Sequence, residues 1–246
     1  MATPLHVVVG ATGGIGSALV RLLTGSGAQV LAAARDGERL ASLAQETGCS
    51  TQTCDARDPG QVDGLLAHAQ ELEGELCGAA CLVGSILLKP AHSTRPEEFR
   101  EVLDQNLLPA FHLLRAAAGR MQRSGGGSIL LMSSAAAQQG LPNHEAIAAA
   151  KAGVEGLVRS AASTYAAKGV RVNALAPGLV RTPMSARLTG SPASLAASEA
   201  MHPLGRIGEP EEVARVAALL LDPANGWITG QCIGVDGGLS ELVAKR

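Results

Sequence analysis

Short apolar runs alternate along the chain with longer segments rich in alanine and leucine, in which apolar residues recur at helical spacing. The short runs predict strands at residues 5–9, 29–34, 50–54, 79–83, 128–133, 171–176 and 232–235. The longer segments predict helices at residues 14–24, 38–46, 59–72, 96–122, 143–168 and 209–221. Nearly continuous apolar strands that alternate with helices are typical of a parallel sheet buried on both faces. We therefore predict a single doubly wound α/β domain, residues 1–246, with a parallel sheet of about seven strands.

One stretch, residues 185–205, has no clear hydrophobic period and is rich in serine, alanine, proline and methionine. Long segments without a period are often functional loops of enzymes or binding proteins. We predict that this stretch is a mobile lid over a substrate site.

The composition narrows the range of functions. Hydrophobic residues make up 46% of the 246 residues, charged residues make up 17%, and the formal net charge is −2. This balance offers no strong field that would attract nucleic acid or an anionic membrane. Aromatic residues make up only 2%, which argues against surfaces that stack on bases or sugars. The aromatic set is Phe99, Phe111, Tyr165 and Trp227, so a single tyrosine is available for chemistry that needs a phenol.

The sequence predicts neither export nor a membrane anchor. No apolar run reaches the roughly 18–20 residues of a membrane span, and residues 1–4 carry no basic segment ahead of an apolar one. The five cysteines are an odd number and none forms a C-x-x-C pair, so free thiols are expected. We expect a cytoplasmic protein that holds no metal.

The first predicted strand runs directly into a glycine-rich turn, residues 10–16, which a helix follows. Glycines there let the backbone approach a pyrophosphate, and the free N–H groups of the helix N-terminus point at its negative charge. A dinucleotide-binding motif requires this position, in the first strand-to-helix turn of a parallel sheet. We predict a Rossmann-type nucleotide site with the turn residues Gly10, Thr12, Gly13, Gly14, Ile15 and Gly16.

The spacing of Gly10, Gly14 and Gly16 resembles that of the short-chain dehydrogenase/reductase (SDR) superfamily. Further motifs of the superfamily follow in the same order along the chain. Asp55-Ala56 resembles its adenine contact, Gly84 resembles the glycine that lets the chain approach the cofactor, and Asp104-Gln105-Asn106 resembles the segment with its helix-bending asparagine. Pro177-Gly178 with Val180 and Thr182 resembles its nicotinamide-side loop, and residues 228–238 resemble its last strand. Within strand four the superfamily's Asn-Asn-Ala-Gly reads Cys81-Leu82-Val83-Gly84 here. The resemblance implies an oxidoreductase that uses NAD(H) or NADP(H). It also implies a homodimer or homotetramer built on helices 96–122 and 143–168.

Two alignments give different cofactors. Counting about 20 residues from Gly16 reaches Asp36, whose carboxylate would accept bonds from a free ribose and favour NAD(H). Aligning the second strand with the superfamily places Ala34 at the position of the acidic residue, and Arg35 follows it. An arginine fork matches a 2′-phosphate, so this alignment favours NADP(H), with Asp36 as the cap of the next helix. We prefer NADP(H).

SDR enzymes reduce a carbonyl with four residues. A serine polarises the carbonyl, a tyrosine donates the proton, a lysine lowers the tyrosine pKa and binds the ribose, and an asparagine holds a water relay. The resemblance assigns three of these roles to Ser134, Lys151 and Asn106, but the residue four before the lysine is Ile147 rather than tyrosine. Tyr165 lies 14 residues beyond Lys151. That is roughly 20 Å along a helix, so Tyr165 cannot substitute.

Three interpretations of the missing tyrosine remain open. The first is another donor: His144 falls within about 20° of the Lys151 stripe and about 10 Å along the helix, a spacing that resembles the enoyl-reductase branch of the superfamily. Glu145 points away from that stripe and is the poorer candidate. The second is reduction of a conjugated C=C bond, in which Ser134 or backbone donors stabilise charge and water supplies the proton. The third is a cofactor-binding regulator or scaffold without catalysis.

The function predicted from these observations is hydride transfer between NADP(H) and a small, fairly apolar carbonyl or enone compound. NAD(H) is the less favoured cofactor. We expect the pocket walls to come from Leu87, Leu88, residues 135–138 and the lid.

Overall fold

Seven parallel strands run through the centre of the part of the molecule that the computed structural model describes, residues 3–243. They are β1 (Pro4–Val9), β2 (Gln29–Ala34), β3 (Ser50–Thr53), β4 (Glu75–Cys81), β5 (Gly127–Met132), β6 (Val170–Pro177) and β7 (Cys232–Val235). Their order is β3-β2-β1-β4-β5-β6-β7, and each neighbouring pair is parallel. The predicted single-domain, doubly wound Rossmann-type fold is confirmed.

Helices cover both faces of this sheet. They are α1 (Gly14–Gly25), α2 (Gly37–Thr47), α3 (Pro59–Glu71), α4 (Pro96–Asn106), α5 (Leu108–Met121), α6 (Ala135–Gln138), α7 (Glu145–Tyr165), α8 (Pro192–Met201) and α9 (Pro210–Leu221). One apolar core packs α3, α5 and α7 on one face, and a second packs α1, α2 and α9 on the other. The central strands β1, β2 and β5 are apolar along most of their length, as expected for strands covered on both faces, whereas the edge strand β3 is polar.

The chain reverses its direction of travel across the sheet at β1, which pairs with β2 on one side and β4 on the other. Val9 is level with Ala33 of β2 and with Cys81 of β4, so the three strands end at the same edge. In open α/β sheets the crevice beyond such a reversal is where ligands bind. The topology therefore directs attention to the carboxyl edge of the sheet.

The helix predicted at residues 96–122 is two helices, so that prediction is wrong at its middle. α4 ends at Asn106 and α5 begins at Leu108, with Pro109 in its first turn. Proline has no N–H to donate, and its ring clashes with the carbonyl four residues earlier in a continuous helix. The break leaves Asn106 at the end of α4, at the edge where the strands finish.

The lid region also differs from its sequence prediction, because residues 185–205 contain the helix α8. The Ser191 hydroxyl accepts a hydrogen bond from the Ser194 amide at the start of this helix, and Pro192 is its first residue. None of its residues is buried, so it has no apolar stripe for a period to reveal.

Three smaller boundaries are corrected as well. The fourth strand is Glu75–Cys81 rather than 79–83, so residues 82–85 belong to the turn that follows it. The short helix α6 was not predicted. α7 starts at Glu145 with His144 as its cap, two residues later than predicted, and Asn143 has a left-handed backbone (φ 64°). No helix in the described part of the chain is both long and apolar enough to cross a bilayer.

Candidate active site

A cavity of about 800 Å³ lies beyond the carboxyl ends of the strands, at the reversal point of the sheet. Leu87, Leu88 and residues 135–138, which were expected to form pocket walls, do not line it. The predicted catalytic and cofactor-binding residues all do, except His144. They come from the ends of six strands and from α4 and α7, segments far apart in the chain. No group of three or more His, Cys, Asp or Glu within residues 3–243 is arranged to hold a metal ion.

The glycine turn after β1 leaves no room for side chains. A Cβ at Gly16 would overlap the Gly10 carbonyl oxygen and lie 2.9 Å from the Ala11 Cα, and Gly10 itself has a φ of +84°. No side chain caps the first turn of α1, and no acidic residue lies in it. The N–H groups of that turn have no partners within the helix, so they are free for an anion that enters the cavity.

Two arginines border the cavity beyond β2. Arg35 directly follows the last residue of the strand and is exposed, while the Arg39 guanidinium donates to the carbonyl of Thr12 in the glycine turn. Asp36 lies between them and accepts a hydrogen bond from the Arg39 amide at 3.1 Å, as the N-cap of α2. The predicted cap is therefore confirmed, and Arg39 is a site residue that the sequence reasoning missed.

A third arginine, Arg57, lies beyond β3 beside Asp55. Its guanidinium is 2.7 Å from the Asp55 carboxylate and lowers the pKa of Asp55 to about 2. Asp55 is thus ionised at any physiological pH and already paired. This end of the cavity combines three cations with two carboxylates that are each engaged in a local bond.

Lys151 is the buried charge at the other end of the cavity. Only 5% of its surface is exposed, and its Nζ donates to the Met132 carbonyl at 2.9 Å. No carboxylate within residues 3–243 forms an ion pair with it. Burial without a counter-ion disfavours the ammonium and lowers the pKa of Lys151 to about 8. Lys151 therefore exchanges its proton close to neutral pH.

Asn106 holds the turn that follows β4. Its Oδ1 accepts from the Ser85 amide at 3.0 Å, and its Nδ2 donates to the Ser85 hydroxyl at 2.9 Å and to the Val102 carbonyl at 3.0 Å. A Cβ at Gly84 would be 2.9 Å from that Oδ1, which explains the glycine. The side chain of Asn106 is fully used for positioning, and Ser85 is its partner that the sequence did not reveal.

The two serines at the end of β5 have different environments. Ser134 caps α6 by accepting a hydrogen bond from the Ala136 amide at 3.2 Å, which leaves its hydroxyl hydrogen free to donate. Ser133 donates to the Glu155 carboxylate at 2.9 Å, further along α7. Cys232 also contacts that carboxylate, and burial together with Glu155 raises the pKa of its thiol to about 12. Of the two serines, Ser134 is the one available to a ligand.

No hydroxyl stands on α7 beside Lys151. Ile147 occupies the position one turn before the lysine, is 5% exposed and lines the cavity. His144 lies outside the lining, where its Nδ1 is 2.7 Å from the Pro142 carbonyl oxygen. Tyr165 is at the far end of α7. The structure therefore does not bring His144 together with the other predicted site residues.

The loop after β6 closes the cavity beside α1. The Thr182 side chain faces Gly14, where a Cβ would lie 2.7 Å from the threonine Cγ2. The buried His202, which follows α8, accepts from the Leu179 amide at 3.1 Å and has its Nδ1 2.8 Å from the Ser198 carbonyl oxygen. His202 thus links the lid helix to this loop, a role with no signal in the sequence.

A parallel sheet of this order, a glycine turn against a helix N-terminus and a buried lysine at the same edge place the chain in the Rossmann class of nucleotide-binding proteins. The chain belongs to the SDR superfamily, because the family model described as enoyl-(acyl carrier protein) reductase matches residues 10–240. Members of this superfamily bind NAD(H) or NADP(H) and act on small substrates.

Similar proteins cover nearly the whole chain. The chain is 36% identical to 2,5-dichloro-2,5-cyclohexadiene-1,4-diol dehydrogenase of Sphingobium indicum over 243 residues, 96% of each chain. It is 37% identical to cis-4-hydroxycyclohexanecarboxylate dehydrogenase of Sinomonas cyclohexanicum over 242 residues, again 96% of each. The structure of actinorhodin polyketide ketoreductase with NADPH superposes with a TM-score of 0.92 at 28% identity, and the match covers 98% of this chain and 100% of that one.

Proposed function

We propose that this protein is an NADP(H)-dependent oxidoreductase that transfers hydride to or from a small carbonyl, alcohol or enone compound. The observation that carries the proposal is the set of cofactor-cradling residues and the buried Lys151 in one cavity. The nicotinamide would supply the hydride at its C4. The residues of this chain would bind the cofactor, orient the substrate and exchange the proton.

The residues present fit a dinucleotide. A Cβ at Gly16 would collide with the turn between β1 and α1, a Cβ at Gly14 would collide with Thr182, and the uncapped N–H groups of α1 suit a pyrophosphate. At the adenosine end Arg35 and Arg39 flank the place of a ribose phosphate, while Asp36 is engaged as a helix cap. This arrangement supports NADP(H) over NAD(H), because the two guanidinium groups favour a phosphate and no free carboxylate is present to repel it.

The cofactor preference is tested by measuring NADPH and NADH affinity in Arg35→Ala, with Arg95→Ala as a matched control at an exposed site away from the cavity. We expect Arg35→Ala to weaken NADPH binding by about tenfold, since a charge-assisted bond to a charged group contributes roughly 1.5–3 kcal/mol, and to leave NADH binding unchanged. Equal losses for the two cofactors would contradict the role of Arg35 as a phosphate contact.

The proposed substrate is apolar and cyclic. Two relatives bear names of six-membered ring alcohols, and the cavity beside Ser134 is bordered by Ile147, Met184 and Ile86. Ser134 would donate a hydrogen bond to the substrate oxygen, and Lys151 would donate to the cofactor ribose. The proposal is tested with a panel of three compounds, cyclohexanone, cyclohexenone and 4-oxocyclohexanecarboxylate. Turnover is followed as the oxidation of NADPH.

The second candidate function is an NADPH-binding regulator without turnover. Ile147 favours it, because this residue stands where the superfamily has its proton-donating tyrosine. Tight NADPH binding in a thermal-shift assay, no turnover with any substrate of the panel, and activity gained in Ile147→Tyr would support the regulator. Turnover by the unaltered protein would exclude it.

Self-association is part of the proposal. α4 and α5 expose Phe99, Leu108 and Phe111, which are 38%, 38% and 45% accessible, and such apolar exposure marks interaction surfaces. We propose a homodimer or homotetramer through these helices and α7. Light scattering of the protein and of Phe111→Glu tests this, with a smaller particle expected for the variant. A cytoplasmic location remains a prediction from the sequence.

A further inference from the structure

Within residues 3–243, Lys151 is the only ionisable side chain that lines the cavity away from its adenosine end. The other ionisable lining residues all lie beyond β2 and β3, at the adenosine end. They are Arg35, Asp36, Arg39, Cys54, Asp55 and Arg57. Any protein group that gives a proton to a substrate beside Ser134 must therefore be Lys151 or Ser134 itself, within the part of the chain that the structure describes.

Two other polar groups at this end, the Asn106 amide and the Ser133 hydroxyl, are already committed. The Asn106 amide has three bonds to Ser85 and Val102, and Ser133 donates to Glu155. Ser134 has a free hydroxyl hydrogen, but an alcohol does not release a proton near neutral pH. Its role is to donate a hydrogen bond rather than to transfer the proton.

Lys151 Nζ has donors to spare. An ammonium carries three N–H donors, and the structure records one bond from Nζ, to the Met132 carbonyl. The residue is 95% buried and lines the cavity, and the neighbouring Ile147 offers its remaining donors nothing to bond. In this chain the lysine has no hydroxyl between it and the substrate space.

We propose that Lys151 itself is the proton donor of this site: its ammonium gives up the proton that the substrate oxygen gains, directly or across one water molecule beside Ile147. This inference rests on the proposed reductase function. As hydride adds to the carbonyl carbon, the π pair of the C=O bond takes the proton, an Nζ–H bond breaks and an O–H bond forms. The carbonyl compound is reduced, NADPH is oxidised, and the neutral amine regains a proton from water before the next turnover.

The electrostatic surroundings of Lys151 suit this role. Burial lowers its pKa to about 8, so the ammonium is populated at neutral pH and still gives its proton readily. The neighbouring ionisable groups are the Cys81 thiol at the end of β4 and the Glu155 carboxylate. Burial raises the pKa of Cys81, which keeps it uncharged, and Glu155 is bonded to Ser133 and Cys232.

The test combines a variant that keeps the charge with the pH profile of the unaltered protein. In Lys151→Arg the positive charge and the donors remain, but a guanidinium does not release its proton. We expect NADPH affinity to stay within about threefold, and kcat for a cyclic ketone to fall at least about 100-fold, the usual contribution of a general acid. Lys168→Arg, at an exposed position past the end of α7, is the matched control.

In the unaltered protein, kcat for ketone reduction should fall tenfold for each pH unit above about 8, since the ammonium is the reactive form. A flat profile from pH 6 to about 9.5 would overturn the inference, as would full activity of Lys151→Arg. The pH profile uses only the unaltered protein, so it tests the inference even if Lys151→Arg misfolds. Failure of the proposed function gives a different result. The unaltered protein then binds NADPH but reduces no substrate, and this overturns both the proposed function and the role of Lys151.

Discussion

His6 makes the stability of this protein sensitive to acid. The residue lies in the middle of β1, is 4% exposed, and its Nδ1 has no hydrogen-bond partner. The ring packs against Gly78 of β4, where no Cβ would fit, and against Leu221. Burial lowers the pKa of His6 to about 4, and the charge of Asp222 opposes this only in part. The folded protein therefore keeps this ring neutral at a pH where the unfolded chain would protonate it.

The sign and size of the effect follow from these two pKa values. Above the unfolded value of 6.5 neither state binds the proton, so His6 has no effect there. As the pH falls from 6.5 towards about 4, only the unfolded chain gains a proton, and the free energy of unfolding decreases. At about 1.4 kcal/mol per pH unit the full loss is about 3 kcal/mol, of which about 2 kcal/mol occurs between pH 7 and pH 5.

The assay is urea unfolding at pH 7 and pH 5, followed by far-ultraviolet circular dichroism at one protein concentration. Tryptophan fluorescence is a poor probe because Trp227, the single tryptophan, is fully exposed in the folded state. His6→Leu removes the titration, so the loss between the two pH values should be about 2 kcal/mol smaller than in the unaltered protein. Any offset from repacking cancels in that comparison. His92→Gln, at an exposed histidine, should keep the original loss. Equal losses in His6→Leu and the unaltered protein would refute the reasoning.

Three further outcomes are expected. Gly16→Ala should lower stability by about 1–3 kcal/mol in thermal unfolding and abolish NADPH binding in a fluorescence titration, because its Cβ would collide with the backbone of Gly10 and Ala11. His202→Leu should speed amide hydrogen exchange in α8 and at Leu179, because it removes the bonds that join them; unchanged exchange would show that the histidine is not the link. The thiols should react slowly with a disulfide reagent at pH 8 until urea is added, because burial raises the pKa of Cys54 to about 11 and of Cys232 to about 12; rapid labelling of the folded protein would contradict the burial.

The sequence predicted the features that depend on local rules. The glycine turn, the cap Asp36 and the alternation of strands and helices each follow from residues close together in the chain. The helix break at Pro109 was also predictable, since a proline inside a helical pattern ends or kinks the helix, but the long apolar period concealed it. α8 was missed for the opposite reason, because a helix with no buried face leaves no period.

Contacts between distant segments carried no such signal. Asn106 meets Ser85, and His202 meets Leu179, because the strand ends converge at one edge. Arg39 lies one turn into α2, and only the fold shows that its side chain reaches back to Thr12. These pairs depend on the order of the strands, which the alternation of helices and strands does not specify.

The parts of the site that hold a dinucleotide and the part that moves a proton are encoded differently. The cradle is distributed over the ends of six strands, so outside the glycine turn one substitution rarely removes it. In the proposed mechanism proton transfer depends on one turn of α7, which contains Ile147 and Lys151. A change at residue 147 alone can therefore end or redirect the chemistry while cofactor binding persists. For this reason cofactor affinity and turnover must be measured separately. In Ile147→Tyr we expect turnover to change while NADPH affinity stays the same.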